Sequence, residues 1–113
     1  MIKKNKFKNI YLSLKKYFKN NTKVEIIKKS SLNASKLFKN ESIDIIFIDA
    51  DHSYEGVKKD ISLWLPKVKV GGFLTGHDYG LGFYGVINAV NEKLGVDNIS
   101  INYDSVWIYK KYF

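Results

Sequence analysis

A chain of 113 residues is long enough for one domain with a single core, and 45% hydrophobic with 15% aromatic residues excludes a disordered polymer. The absence of cysteine excludes disulfide scaffolds and thiolate metal sites and suits a reducing cytoplasm. The net charge of +8 is uneven: residues 1–40 carry twelve lysines and one acid, Glu25, for +11, while residues 41–113 carry seven lysines and ten acids, for −3.

Residues 6–19 space Phe7, Ile10, Tyr11, Leu14, Tyr17 and Phe18 at helical intervals, which predicts an amphipathic helix with lysines on its other face, ended by Asn20-Asn21. The start is basic like a secretory leader, but Lys15, Lys16 and Lys19 interrupt the apolar residues. No later stretch approaches the ~20 apolar residues that span a bilayer, so a soluble, cytoplasmic protein is expected. A basic half suits phosphates or an anionic membrane surface. All nineteen basic residues are lysine, however, as an AT-rich coding sequence would give, and arginine, the residue of bidentate base recognition, is absent. No dedicated nucleic-acid binding is expected.

Val24–Ile27 reads as a short strand, and Leu32–Phe38 as a short helix capped by Ser30 or Ser31. Residues 43–48, IleAspIleIlePheIle, form the nearly continuous apolar run of a central parallel strand. From Ser53 the period becomes helical, with Tyr54, Val57, Ile61, Trp64 and Leu65 on one face and Pro66 closing the element. A strand at 68–75, a helix at 83–94 and a closing hairpin around Asp104-Ser105 complete the order αβαβαβαββ. Alternating strands and helices predict an α/β fold with parallel strands joined by crossovers, in one domain spanning 1–113.

Ligands of open parallel sheets bind beyond the carboxyl ends of the strands. Asp49, Asp51 and His52 follow the strand at 43–48, and His77-Asp78-Tyr79 follow the next one. Two neighbouring strands would bring these groups together on one rim, where carboxylates and imidazoles can hold a divalent cation or act as acid and base. Asp49 or Asp51 is equally placed to cap the helix that begins near Ser53, and either histidine can be a solvated loop residue. Gly76, Gly80, Gly82 and Gly85 crowd the second loop and permit close backbone approach to a ligand, or simply loop mobility. No GxxxxGK phosphate loop is present.

The string SIDIIFIDADHSYEGVKKDISLWLPKVKVGGFLTGHDY, residues 42–79, resembles the second half of the class I S-adenosylmethionine-dependent methyltransferases. It is most similar to the small-molecule O-methyltransferase-like group with the pattern FIDxDHxYE…GGxxxxHDY. The likeness extends more weakly back to Val24–Phe38 and forward through GVxxAVNE at 85–92 to ValTrpIleTyrLys at 106–110. It implies a Rossmann-like sheet of strand order 3-2-1-4-5-7-6 with a closing antiparallel hairpin. It implies S-adenosylmethionine as methyl donor, a small-molecule acceptor and, as in metal-dependent relatives, Mg2+ held by Asp49 and Asp78. Tyr79 stands where some relatives place a third ligand, Asn. His52 and His77 become candidate ligands or general bases. Ser30 and Ser31 fall where relatives contact the adenine, Asp51, His52 and Tyr54 line the cleft near the donor, and Asp49 is a metal or donor-side ligand.

In that family a glycine-rich loop after the first strand and an acid after the second hold the donor. Residues 1–22 supply neither, so the resemblance implies the carboxyl-terminal part of the domain, with the first two strands missing. The strand at 43–48 would then be an edge exposing Ile and Phe, prone to self-association or to pairing with a partner chain. Three functions follow: an O-directed methyltransferase, a non-catalytic remnant or split-protein half that associates with a partner, and a metal-dependent hydrolase using the same Asp/His groups.

Overall fold

The computed structural model describes residues 4–113, with side chains from Asn9 onward, so the side chain of Phe7 in the expected apolar stripe lies outside what is described. The chain divides into two compact units, Met1–Ser30 and Ser31–Phe113.

In the first unit, α1 spans Lys4–Tyr17. Lys15 and Lys16 in its last turn oppose the negative end of the helix dipole. The helix stops where the Asn21 side chain accepts a hydrogen bond from the Lys23 amide at 2.9 Å, a local turn that competes with helical bonding. Tyr11 is half-buried, with the Lys28 ammonium 5.2 Å from its ring, whereas Ile10 and Leu14 on the same stripe stay exposed. The expected strand at Val24–Ile27 does not form: these residues are in neither helix nor strand. Apolar β-branched residues are only half of a strand. The other half is a ladder partner, and none pairs with them among the described residues.

The second unit opens with α2, Ser31–Ser35, shorter than the expected 32–38. The Ser35 hydroxyl donates to the Leu32 carbonyl at 2.7 Å, the back-bonding that makes serine a weak helix former. Then come β1 (Ile43–Ile48), α3 (Tyr54–Trp64), β2 (Val68–Gly76), α4 (Tyr84–Leu94), β3 (Ile99–Asn102) and β4 (Val106–Lys110). Ser53 caps α3, its side chain accepting from the Gly56 amide, and Pro66 follows the helix end, as the sequence predicts. The sheet order is β1-β2-β4-β3, with β1 parallel to β2 and the other neighbours antiparallel. This matches the segment 4-5-7-6 of the strand order that the resemblance implies, and the hairpin falls where expected. Asp104 and Ser105 both take positive φ, 59° and 61°, as a tight two-residue reversal requires.

Register assigns each strand residue to a face. Ile46, Leu74 and Tyr109 stand in one row, and Ile48, Gly76 and Trp107 in the next. This face packs against Val57 and Ile61 of α3 and against Val86, Ala89, Val90 and Leu94 of α4, forming the core. The other face carries Ile45, Phe47, Phe73 and Ile108. Ile45 is 63% and Phe47 53% exposed, and β1 is an edge strand with no outer neighbour among the described residues. No helix among the described residues is long and apolar enough to cross a membrane.

Candidate functional site

Because β1 and β2 are parallel and Ile48 pairs with Gly76, both strands end at the same rim. The ladder runs one bond further: the His77 amide donates to the Ile48 carbonyl at 3.1 Å. The loops that leave this rim carry Asp49 and His52 on one side and His77 and Asp78 on the other. His52 Nε2 lies 2.5 Å from Asp78 Oδ2. His77 Nδ1 lies 3.1 Å from Asp78 Oδ1 and 3.8 Å from Asp49 Oδ1. Ligating atoms of Asp49, His52 and Asp78 all fall within 4.8 Å of one another. Four of the residues that the sequence nominates are thus one cluster. Asp78, with its side chain only 14% exposed, is its centre, while Asp49 and His52 open to solvent.

The backbone at the centre is strained. Asp78 has φ +65°, a conformation that costs most residues about 1 kcal/mol or more but suits Asp and Asn better. Neighbouring bonds over-determine it. The Tyr79 amide donates to the Ser105 carbonyl at 2.9 Å, and the Tyr79 hydroxyl donates to Asn91 Oδ1 at 2.6 Å. Tyr79 is therefore engaged away from the cluster, and its phenol does not supply a third ligand in this arrangement.

Asp51 and Tyr54 are tied to the start of α3. The Asp51 carboxylate accepts from the Ser53 amide at 2.8 Å. The Ser53 amide and hydroxyl hold it below the ordinary aspartate range. The Tyr54 hydroxyl donates to Glu92 of α4 and accepts from Lys58 at 3.3 Å. That bond raises the Tyr54 hydroxyl above its usual value and holds the Glu92 carboxyl below its own, the charge of Lys58 adding to the latter. For a carboxyl lowered by folding, the stabilisation exists above its unfolded value and is lost as pH falls through the folded one. Between pH 5.5 and 3 the melting temperature of wild type should accordingly fall more than that of Glu92→Gln, which keeps an acceptor but no charge. Parallel curves would remove Glu92 from the acid transition.

A cavity of about 380 Å3 adjoins the cluster, lined by Ser31, Ile48, Asp49 and Trp64 among others. The Ser31 hydroxyl accepts from the indole N–H of Trp64 at 2.7 Å, and Ser31, Trp64 and Asp49 all line this one space. Ser30 is the last residue of the first unit. A cavity of about 550 Å3 in that unit, bounded by Leu12, Phe18, Val24 and Ile26, contains none of the Asp/His groups.

Sequence reading misses Phe83, whose ring lies 4.9 Å from that of His52, and the polar residues Asn91, Glu92 and Ser105 that hold the two loops. Phe83 sits at the start of a predicted helix without marking a face. Asn91 and Glu92 fall within the GVxxAVNE string but carry no chemistry by type alone.

As donors for a metal, Asp49 and Asp78 suit a hard cation such as Mg2+, which takes one or two carboxylates and keeps several waters. His52 Nε2, grouped with ligating atoms of both carboxylates and in contact with Asp78, is placed either as a further ligand or as a hydrogen-bonding partner of Asp78.

The model of a family described as a methyltransferase domain matches residues 5–79. A protein of Corynebacterium glutamicum, whose crystal structure came from a structural genomics consortium, superposes with a TM-score of 0.65 at 11% identity, over 94% of this chain and 56% of that one. The O-methyltransferase NovP superposes with a TM-score of 0.53 at 22% identity, over 65% of this chain and 31% of its own. The chain therefore spans little more than half the length of the first and about a third of the second. No curated protein matches it.

Proposed function

Since this chain belongs to the methyltransferase domain family, we propose that it serves S-adenosylmethionine-dependent methyl transfer to a hydroxyl of a small molecule. The observation that supports this most is the convergence of Asp49, His52, His77 and Asp78 where two parallel strands end.

Asp49 and Asp78 would hold Mg2+. When bound, the ion lowers the pKa of a coordinated hydroxyl and the sulfonium donor supplies an electrophilic methyl group. The chain's own residues do the rest. Asp78, fixed by its neighbours, sets the position of both imidazoles. His52 or His77 takes the hydroxyl proton, which leaves an oxygen lone pair to form the new C–O bond as the C–S bond breaks. Ser31, Asp49 and the Trp64 face of the adjoining cavity suit the adenine side of the donor, and holding donor and acceptor together lowers the entropic barrier. The test is transfer of an isotope-labelled methyl group from S-adenosylmethionine to a panel of small hydroxylated acceptors. The reading predicts label on the acceptor oxygen, lost on chelation of divalent metal. Label carried only to nitrogen or carbon acceptors would overturn the O-directed reading.

The edge position of β1 favours a second reading, in which the domain works only when further strands, from a partner chain or another part of a longer polypeptide, pair along β1. Ile45 and Phe47 on that edge remain exposed, the configuration that invites strand addition. On this reading the 113-residue chain should sediment as dimers or larger species, and Ile45→Lys, which places a charge on the edge, should return it to monomer. A wild-type chain that sediments as a monomer at high concentration would count against it.

A further inference from the structure

We propose that the adjacent α4 residues Asn91 and Glu92 are positioning residues that keep His52 against Asp78, by anchoring Tyr79 in the loop that carries Asp78 and Tyr54 at the start of α3, where the loop that carries His52 ends. Tyr79 follows Asp78 directly, and its hydroxyl donates to Asn91 Oδ1 at 2.6 Å. Tyr54 lies two residues after His52, and its hydroxyl donates to Glu92. Lys58, one turn further along α3, donates to the same hydroxyl at 3.3 Å and pairs with Glu92 at 3.6 Å. The path therefore closes on itself: His52 to Asp78, along the chain to Tyr79, across to Asn91, to Glu92 beside it, across to Tyr54, and back along the chain to His52.

Two further observations explain why α4 is the seat. A Cβ on Gly85, in the first turn of α4, would meet the His52 carbonyl at 2.9 Å and the Tyr54 amide at 2.8 Å, so the helix backbone abuts the first loop directly. Asp78, in turn, holds a positive φ that persists only where surrounding bonds enforce it. Tyr79 supplies two of these bonds, one through its amide to Ser105 and one through its hydroxyl to Asn91. Cutting both tyrosine anchors frees the loops to relax independently, and the contact between His52 and Asp78 is the one that spans them.

The geometric part of the inference stands on these bonds alone, and its consequence for catalysis rests on the methyltransferase reading. The decisive readout is the His52 Nε2 resonance, measured by NMR at one fixed pH in the metal-free full chain. Asn91→Leu with Glu92→Met should move it toward the position of a solvent-exposed imidazole. Tyr54→Phe with Tyr79→Phe, which removes only the two hydroxyls and keeps the rings, should do the same and decides the matter if the first pair does not fold. Asn91→Asp with Glu92→Gln, which keeps both acceptor oxygens, should leave the resonance in place, a rescue that a purely structural role would not show. An unchanged resonance in the folded Tyr54/Tyr79 variant, or an equal displacement in the conservative pair, overturns the proposal. Displacement in a protein that never binds S-adenosylmethionine upholds the positioning role and counts only against the methyltransferase reading.

Discussion

Asp78→Asn is expected to lower methyl transfer by on the order of 10²–10³-fold while leaving the fold intact. If Asp49 and Asp78 hold Mg2+ as proposed, the magnitude follows from removing one of its two carboxylates, the ion's charge stabilisation being worth several kcal/mol at about 1.4 kcal/mol per tenfold in rate. The choice of asparagine separates charge from backbone. At φ +65° Asn is tolerated nearly as well as Asp, so the loop keeps its conformation and only the negative charge leaves. Asp78→Ala adds a strained backbone to the loss of charge and should also lower the melting temperature. Equal rates for Asp78→Asn and wild type, with acceptor and donor saturating, would remove Asp78 from the chemistry.

Trp107→Ala is expected to cost about 3–5 kcal/mol, the usual range for truncating a buried aromatic residue. Trp107 is 1% exposed in the row that faces α3 and α4, and it pairs across the sheet with Gly76. Its ring lies over that glycine so closely that a Cβ there would stand 2.5 Å from ring atoms. Against a total stability of about 5–15 kcal/mol for a domain, this loss removes much of the margin and loosens the β2 end from which His77 and Asp78 project. Urea unfolding followed by circular dichroism measures it, and Trp64 remains as an independent fluorescent reporter. A loss below about 1 kcal/mol would show that the core does not depend on this residue.

The run at 43–48 followed by Asp49 marks a strand and its rim because both signals are local, an apolar run and an abrupt carboxylate. Ser53, Pro66 and the Asp104-Ser105 reversal are legible for the same reason. Val24–Ile27 looks like a strand on the same kind of signal, yet a strand needs a partner, and partnership is not written in four residues. The sheet face shared by Ile45 and Phe47 is likewise a matter of register. At the site, the residue types and strand ends bring Asp49, His52, His77 and Asp78 onto one list, but their contacts are tertiary. Tyr54 meets Glu92 across 38 positions and Tyr79 meets Asn91 across 12, and no spacing announces either bond. The positive φ of Asp78 is equally invisible, since it is imposed by the bonds on its neighbour and not by its own type.

Isothermal titration of S-adenosylmethionine into the folded chain, alone and with Mg2+, measures donor binding itself. The account predicts saturable binding to one site per domain, assembled through β1 if the isolated chain requires it. It further predicts that Asp49→Ala, on the wall shared with Ser31, weakens the affinity at least tenfold. A well-folded chain, monomeric or assembled, that takes up no S-adenosylmethionine at any metal concentration would contradict it.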